Sequence, residues 1–165
     1  MTSTLNGWAY PAKRLVTKQV PGTKRNLTLN YECAPLLLAL ASDYSRTVRA
    51  IDQGPVDDAG YCDRDARAAK GNKSNHANGT AMDLNWSEEG AQNSAWGKKF
   101  FSTLKAKAAV AVIKKRYGSC VQWGGDWNSF KDYMHWEIKP GTSRADVMRL
   151  AKKLNIDADG VRHSK

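Results

Sequence analysis

The sequence predicts an α+β fold, a small antiparallel sheet that carries a candidate metal site and is flanked by helices. Three observations lead there. Leu27, Leu29 and Tyr31 alternate with polar residues, the period-two signal of a strand. Apolar residues recur at helical spacing around residues 35–48, 94–117 and 143–154. Two histidines and their neighbouring carboxylates fall in two short stretches, each beside or within a predicted strand.

The chain has 165 residues, enough for one domain over 1–165 with a real hydrophobic core. A hydrophobic fraction of 41% and a charged fraction of 25% are ordinary for a globular protein. A metal in such a chain serves chemistry rather than rescuing an undersized fold. The net charge of +10 favours anionic partners, whether nucleic acid, anionic lipid or wall polymers. The basic residues are spread out, and the runs Lys114-Lys115-Arg116 and Lys152-Lys153 read as solvated helix faces. Cys33, Cys62 and Cys120 are an odd set without a CxxC pair, so they read as small partly buried residues, with room for one disulfide. The N-terminus has no apolar h-region, so no secretory signal is expected. The longest apolar run, Ala34 to Ala41, is too short to span a membrane.

Strands are predicted at Arg14–Val20 and Asn26–Tyr31, joined as a hairpin through Pro21-Gly22. Pro35 suits a first helical turn, and Leu36 to Leu40 make the helix to Val48 apolar on more than one side. Residues 57–73 are rich in charge, glycine and asparagine and read as irregular. Residues 80–85 read as a strand entered from a loop, with Met82 and Leu84 on one face and Ala81, Asp83 and Asn85 on the other. A loop at Ser87–Gly90 precedes one long helix, Ser94 to Tyr117, with a stripe of Phe101, Leu104, Ala108 and Val112 and a Gly118 cap. Val121–Trp123 and Tyr133–Ile138 read as further strands. Ser143 caps a final helix through Leu154, and the tail from Asp157 is expected to fray.

The chemistry concentrates in SNHANGTAMDLN, residues 74–85, and in DYMHWE, residues 132–137. His76 and Asp83 lie seven positions apart; Asn75, Asn78, Gly79 and Thr80 are poor helix material, so they do not share a helix face. His76, Asp83 and His135 offer two nitrogens and one oxygen, a set that can hold zinc with a position left open. Spacing alone leaves the metal reading even with the reading of satisfied or surface histidines. His163, in the polar tail, reads as a surface residue. A further carboxylate is needed as general base. Asp132 is one candidate, although an extended 132–135 would point it away from His135; Glu137, on the His135 side of a strand, is its rival.

Ser74-Asn75-His76-Ala77-Asn78-Gly79-Thr80-Ala81-Met82-Asp83 resembles the SxHxxGxAxD signature of the M15 zinc peptidases. Asp132-Tyr133-Met134-His135-Trp136-Glu137 resembles the family's acid-x-x-His element, and Trp123-Gly124-Gly125-Asp126-Trp127 is also similar to family sequence. The resemblance covers roughly Tyr61 to Ile138. It implies the fold shared by D-alanyl-D-alanine peptidases and hedgehog domains. It implies Zn2+ held by His76, Asp83 and His135, and Asp132 as general base despite the strand objection. Ser74, Glu137 and Trp136 would act beside the ligands or at the substrate. An upstream arginine that binds substrate is implied as well; Arg64 fits that place best, with Arg67 as the alternative.

The expected partner is bacterial peptidoglycan, without nucleic acid or stable membrane association, and the chain is expected to act as a monomer. The expected activity is that of a phage endolysin, made in the host cytoplasm, which cleaves the L-alanyl-D-glutamate bond of the stem peptide. A D-alanyl-D-alanine carboxypeptidase is the alternative. A zinc-stabilised, non-catalytic wall-binding module and a basic nucleic-acid binder are further readings. The second explains the charge but not the histidine–aspartate set, and no helix-turn-helix, zinc-finger or RNA-binding signature accompanies it.

Overall fold

The computed structural model describes residues 2–67, 69–90 and 92–164; Met1, Ala68, Ala91 and Lys165, including both ends of the expected domain, lie outside it. Its architecture is the predicted α+β one, with small antiparallel sheets and five α-helices among the described residues. None of those helices is long and apolar enough to cross a membrane.

The hairpin forms as expected. Strands β3 (Leu15–Gln19) and β4 (Asn26–Asn30) pair antiparallel, and the alternation buries Leu27 and Leu29. Ahead of them, β1 (Thr2–Ser3) and β2 (Ala9–Tyr10) form a minimal ribbon that no apolar period announces. Helix α1 (Ala34–Thr47) starts with proline in its first turn and is buried on nearly every side, with Leu36, Leu37, Leu38 and Leu40 fully enclosed. It also buries Asp43, which accepts hydrogen bonds from Tyr117 Oη (2.7 Å) and Arg116 Nη1 (2.5 Å). A charged pair of this kind ties the helix layers together in one register.

Four elements differ from expectation. Within the stretch read as irregular, β5 (Asp65–Ala66) and β6 (Ala69–Lys73) form a hairpin. Its residues are mostly exposed and polar, so no hydrophobic alternation marks it. The expected loop after residue 85 contains a short helix, α2 (Trp86–Glu89), entered through Asn85 in a left-handed conformation (φ 54°). The expected long helix is two, α3 (Ala95–Phe101) and α4 (Leu104–Tyr117). The Thr103 hydroxyl accepts from Ala106 N–H, and a new N-cap there restarts the helix. The restart rotates the buried face to Ala106, Val110, Ile113 and Tyr117, leaving Leu104 87% and Val112 52% exposed. Gly118 caps α4 as expected, with right-handed backbone (φ −68°) and its N–H donating to the Lys114 carbonyl.

The tail beyond Asp157, expected to fray, folds back instead. Asp157 accepts from the backbone N–H groups of Asp159 and Val161, and Ile156 bridges Arg162. The last helix, α5 (Arg144–Lys153), begins at a Ser143–Asp146 capping box and packs Val147 and Leu150 into the core.

The sheet that positions the site has three strands: β7 (Ala81–Asp83), β8 (Val121–Trp123) and β9 (His135–Ile138). Its order is β7-β9-β8, antiparallel throughout. Met82, Trp136 and Ile138 point into the apolar core with Trp123, while Asp83, His135 and Glu137 point the other way.

Candidate metal centre

The register of this sheet pairs Asp83 with His135 directly across the strands. Opposed residues on one face have Cβ atoms ~5 Å apart, so their polar ends meet without any long-range adjustment. His76 arrives differently. Residues 75–78 form a 3₁₀ turn, capped at its start by the Ser74 hydroxyl, which accepts from His76 N–H (3.3 Å). The turn ends at Gly79 with φ +71°, where a Cβ would lie 2.5 Å from Asn30 N. Only glycine allows both that backbone and that approach to β4. Gly79 therefore docks the motif on the hairpin.

The three side chains converge. His135 Nδ1 lies 2.9 Å from Asp83 Oδ1 and 3.2 Å from His76 Nε2, and His76 Nε2 lies 3.3 Å from Asp83 Oδ2. One ligand atom from each lies within 4.8 Å of the others, and all three residues are buried. The remaining ring nitrogens are spoken for. His76 Nδ1 donates to the Gly60 carbonyl (2.6 Å) and His135 Nε2 donates to Glu137 Oε2 (2.8 Å). Those bonds fix the tautomers and leave His76 Nε2 and His135 Nδ1 as lone-pair donors facing one another. Two lone pairs and a carboxylate at this spacing call for a shared cation.

The electrostatics agree. Burial would raise the Asp83 carboxyl, but the two imidazoles overcome it and hold that group well below the usual carboxylate range. Burial would lower His135, but hydrogen bonds to Asp83 and Glu137 overcome it and push the imidazole up to about 10. Both shifts mark a pocket that favours positive charge, and metal binding there is coupled to proton release. Two nitrogens and one carboxylate oxygen are the donor set of a catalytic zinc.

Around these donors, the other expected residues separate. A turn at Tyr133–Met134, with His135 N–H donating to Asp132 carbonyl oxygen (3.2 Å), brings Asp132 to the cleft that His135 lines. The strand objection to Asp132 fails because residues 132–134 are not extended. Asp132 Oδ1 is buried with no hydrogen-bond partner, and its carboxyl is raised by burial, against the pull of His135 and Arg67. Glu137 does not compete as base. Its two oxygens take Asn75 Nδ2 (2.6 Å), Gln122 Nε2 (2.6 Å) and His135 Nε2, so it orients His135.

Trp136 is not at the substrate. It is 1% exposed and stacks on Trp123 with centroids 5.6 Å apart, because strand alternation sends it to the core. Trp127 takes the place at the cleft, with its ring centroid 5.1 Å from that of His135. Arg64 and Arg67 both line the cleft; Arg64 is half-buried, its carbonyl bonding Ser74 N–H, and Arg67 is exposed. The three cysteines are free thiols.

Sequence reasoning missed the supports of the site. Asn75 joins Glu137 to the N-terminal segment, where Asn6 N–H donates to Asn75 Oδ1 (2.9 Å). Asn6 Nδ2 also donates to Thr80 Oγ1 and to the Ile138 carbonyl, and Leu5 beside it walls the cleft. A lone asparagine near a terminus gives no sequence signal of its partners. The cleft at His135 holds about 90 Å³ and continues past Leu5, Trp127 and Phe130 into a recess of about 530 Å³.

Residues 67–138 match the family model described as D-alanyl-D-alanine carboxypeptidase. That segment contains His76, Asp83, Asp132, His135 and Glu137, and it bears out the M15-type resemblance of the two motifs. No solved structure matches the chain.

Proposed function

Taking residues 67–138 as M15-type peptidase sequence, we propose that this chain is a zinc peptidase that hydrolyses an amide bond in the stem peptide of peptidoglycan. The observation that carries the reading is the meeting of His76, Asp83 and His135 beside an unpartnered Asp132 in one cleft. His76 Nε2, His135 Nδ1 and an Asp83 oxygen would hold the ion. Zinc bound there would supply Lewis acidity, polarising a carbonyl and bringing the pKa of water toward ~7.

The protein groups do the rest. Asp132 takes the proton from the attacking water at its free oxygen and returns it to the departing amine. Its raised affinity for a proton suits both halves of that transfer. Glu137 and the Gly60 carbonyl hold the two imidazoles in place throughout. Arg64 and Arg67 present positive charge to a substrate carboxylate, and Arg67 also biases Asp132 toward its ionised form. Trp127 and Phe130 form an apolar wall along which an extended stem peptide lies.

Within this class we favour an L-alanyl-D-glutamate endopeptidase of the phage-endolysin kind. A cleft that continues from the candidate metal site into a second recess gives an extended stem peptide room to lie along it. The +10 charge would hold the chain on an anionic wall, an attachment that salt weakens. The description of the matching family favours a second reading, a D-alanyl-D-alanine carboxypeptidase. Digestion of purified peptidoglycan followed by identification of the new termini separates them. New N-terminal D-glutamate supports the endopeptidase; released D-alanine supports the carboxypeptidase; neither product would overturn the reading.

A further inference from the structure

A second cavity lies outside the metal cleft, on the far side of the loop that carries Trp127 to Asp132. It holds about 720 Å³, within the ~300–1,000 Å³ range of small-ligand pockets. None of the three metal donors lines it. Its floor is apolar, made by Phe101, Val110, Trp123 and Tyr133. Its rim is cationic. Lys98 of α3 and Lys107 of α4 stand over the floor, and among the described residues their ammonium groups make no hydrogen bond or ion pair. The other two rim lysines are engaged: Lys114 pairs with Asp126 (2.6 Å), and Lys131 donates to the carbonyls of Gly125 and Trp127.

A solvated lysine is ordinary, and so is a shallow apolar dent. Two uncompensated ammonium groups over a concave floor of aromatic and aliphatic side chains specify a ligand with two parts. An apolar body leaves water against the floor, and an anionic head pairs with the free lysines. We propose that this cavity is a binding site for a single-chain amphiphilic anion, an acyl chain with a phosphate head. The site is distinct from the metal cleft. Its occupancy is read by binding, so its failure would leave the peptidase reading untouched.

The test is isothermal titration calorimetry on the zinc-loaded full chain, with dodecyl phosphate kept below its micelle concentration. Saturable binding at one site per chain is expected. Inorganic phosphate, phenyl phosphate and the uncharged dodecyl maltoside should each bind at least tenfold more weakly. Ala111→Trp places an indole in the cavity from the exposed side of α4 and should weaken dodecyl phosphate at least tenfold. The double variant Lys98→Glu/Lys107→Glu should do the same. An unchanged melting temperature shows that each variant is folded, and Ser102→Trp, also exposed at the rim, serves if Ala111→Trp is not. Wild-type affinity in the tryptophan variant, equal binding of the maltoside, phenyl phosphate bound as tightly as dodecyl phosphate, or binding that never saturates would each overturn the proposal.

Discussion

Strand β9 has two faces, and they are held together by opposite means. On one face Trp136 and Ile138 lie against Trp123, Tyr44 and α1 in an apolar core. On the other face His135 and Glu137 meet Asp83, His76 and Asn75 in a buried polar network. The apolar face is held by shape and burial, which need no charge, and its one polar atom, the Trp136 indole N–H, is buried without a partner. The polar face is complete only with a positive charge between two imidazoles and a carboxylate. One four-residue strand thus anchors the fold with its even-numbered residues and the chemistry with its odd ones.

Variants on the two faces should therefore fail differently. Asp132→Ala is expected to cut hydrolysis by about 100- to 10,000-fold, the scale of a lost general base, with zinc content and melting temperature kept. Assay of peptidoglycan hydrolysis beside thermal melts checks this, and near-wild-type lysis would remove Asp132 from the mechanism. Trp136→Ala, one residue from His135, is expected to cost about 3–5 kcal/mol in stability because it opens a cavity in the core. Denaturant unfolding of the metal-free chain measures that cost without contribution from the ion. A loss confined to activity would place Trp136 on the wrong face.

Glu137→Gln should sharpen the contrast from the polar side. It removes the negative charge and one of the two acceptor oxygens that take Asn75, Gln122 and His135, and is expected to weaken zinc by about 10- to 100-fold. Competition against a calibrated chelator reads that change, and an unchanged affinity would mean that the charge of Glu137 is not needed to orient the imidazole.

The smallest effect at any one pH step concerns Glu89, which lies behind the core on α2. Burial lifts its carboxyl to about 8 from the ordinary 4.5, although the Tyr44 hydroxyl donates to it and Arg49 opposes the rise. The folded chain therefore keeps a proton that the unfolded chain releases above about 4.5. That contribution is fully present below pH 4.5 and is lost as pH rises through about 8. Stability should fall by about 1 kcal/mol per pH unit across that window on this account alone. Glu89→Gln, a neutral isostere, should flatten the slope in denaturant titrations at several pH values. An unchanged slope would mean that Glu89 is ionised in the fold.

Much of this contrast could be read from the sequence. The α+β architecture, the β3–β4 hairpin, the buried α1 and the pair of motifs around His76 and His135 all follow from period and residue type. Local rules failed where a few polar atoms decide. Thr103 restarts a helix that looks continuous, and its restart re-aims the stripe from Leu104 and Val112 to Val110 and Ile113. The turn at Tyr133–Met134 that rescues Asp132 was legible only through the family motif, because an extended reading of the same residues points it away. The family motif sets Glu137 and Trp136 alike beside the site, and only the strand register assigns one to the imidazole and the other to the core. Asn6 and Asn75 were invisible, since a hydrogen bond spanning 69 residues has no trace in local sequence.

Elemental analysis after dialysis against trace zinc tests the central claim most directly, that His76, Asp83 and His135 hold one ion which Asp132 does not. One zinc per chain is expected in the wild type and in Asp132→Ala, and none in His76→Ala or in His135→Ala. Zinc retained by the two histidine variants, or absent from the wild type, would contradict it.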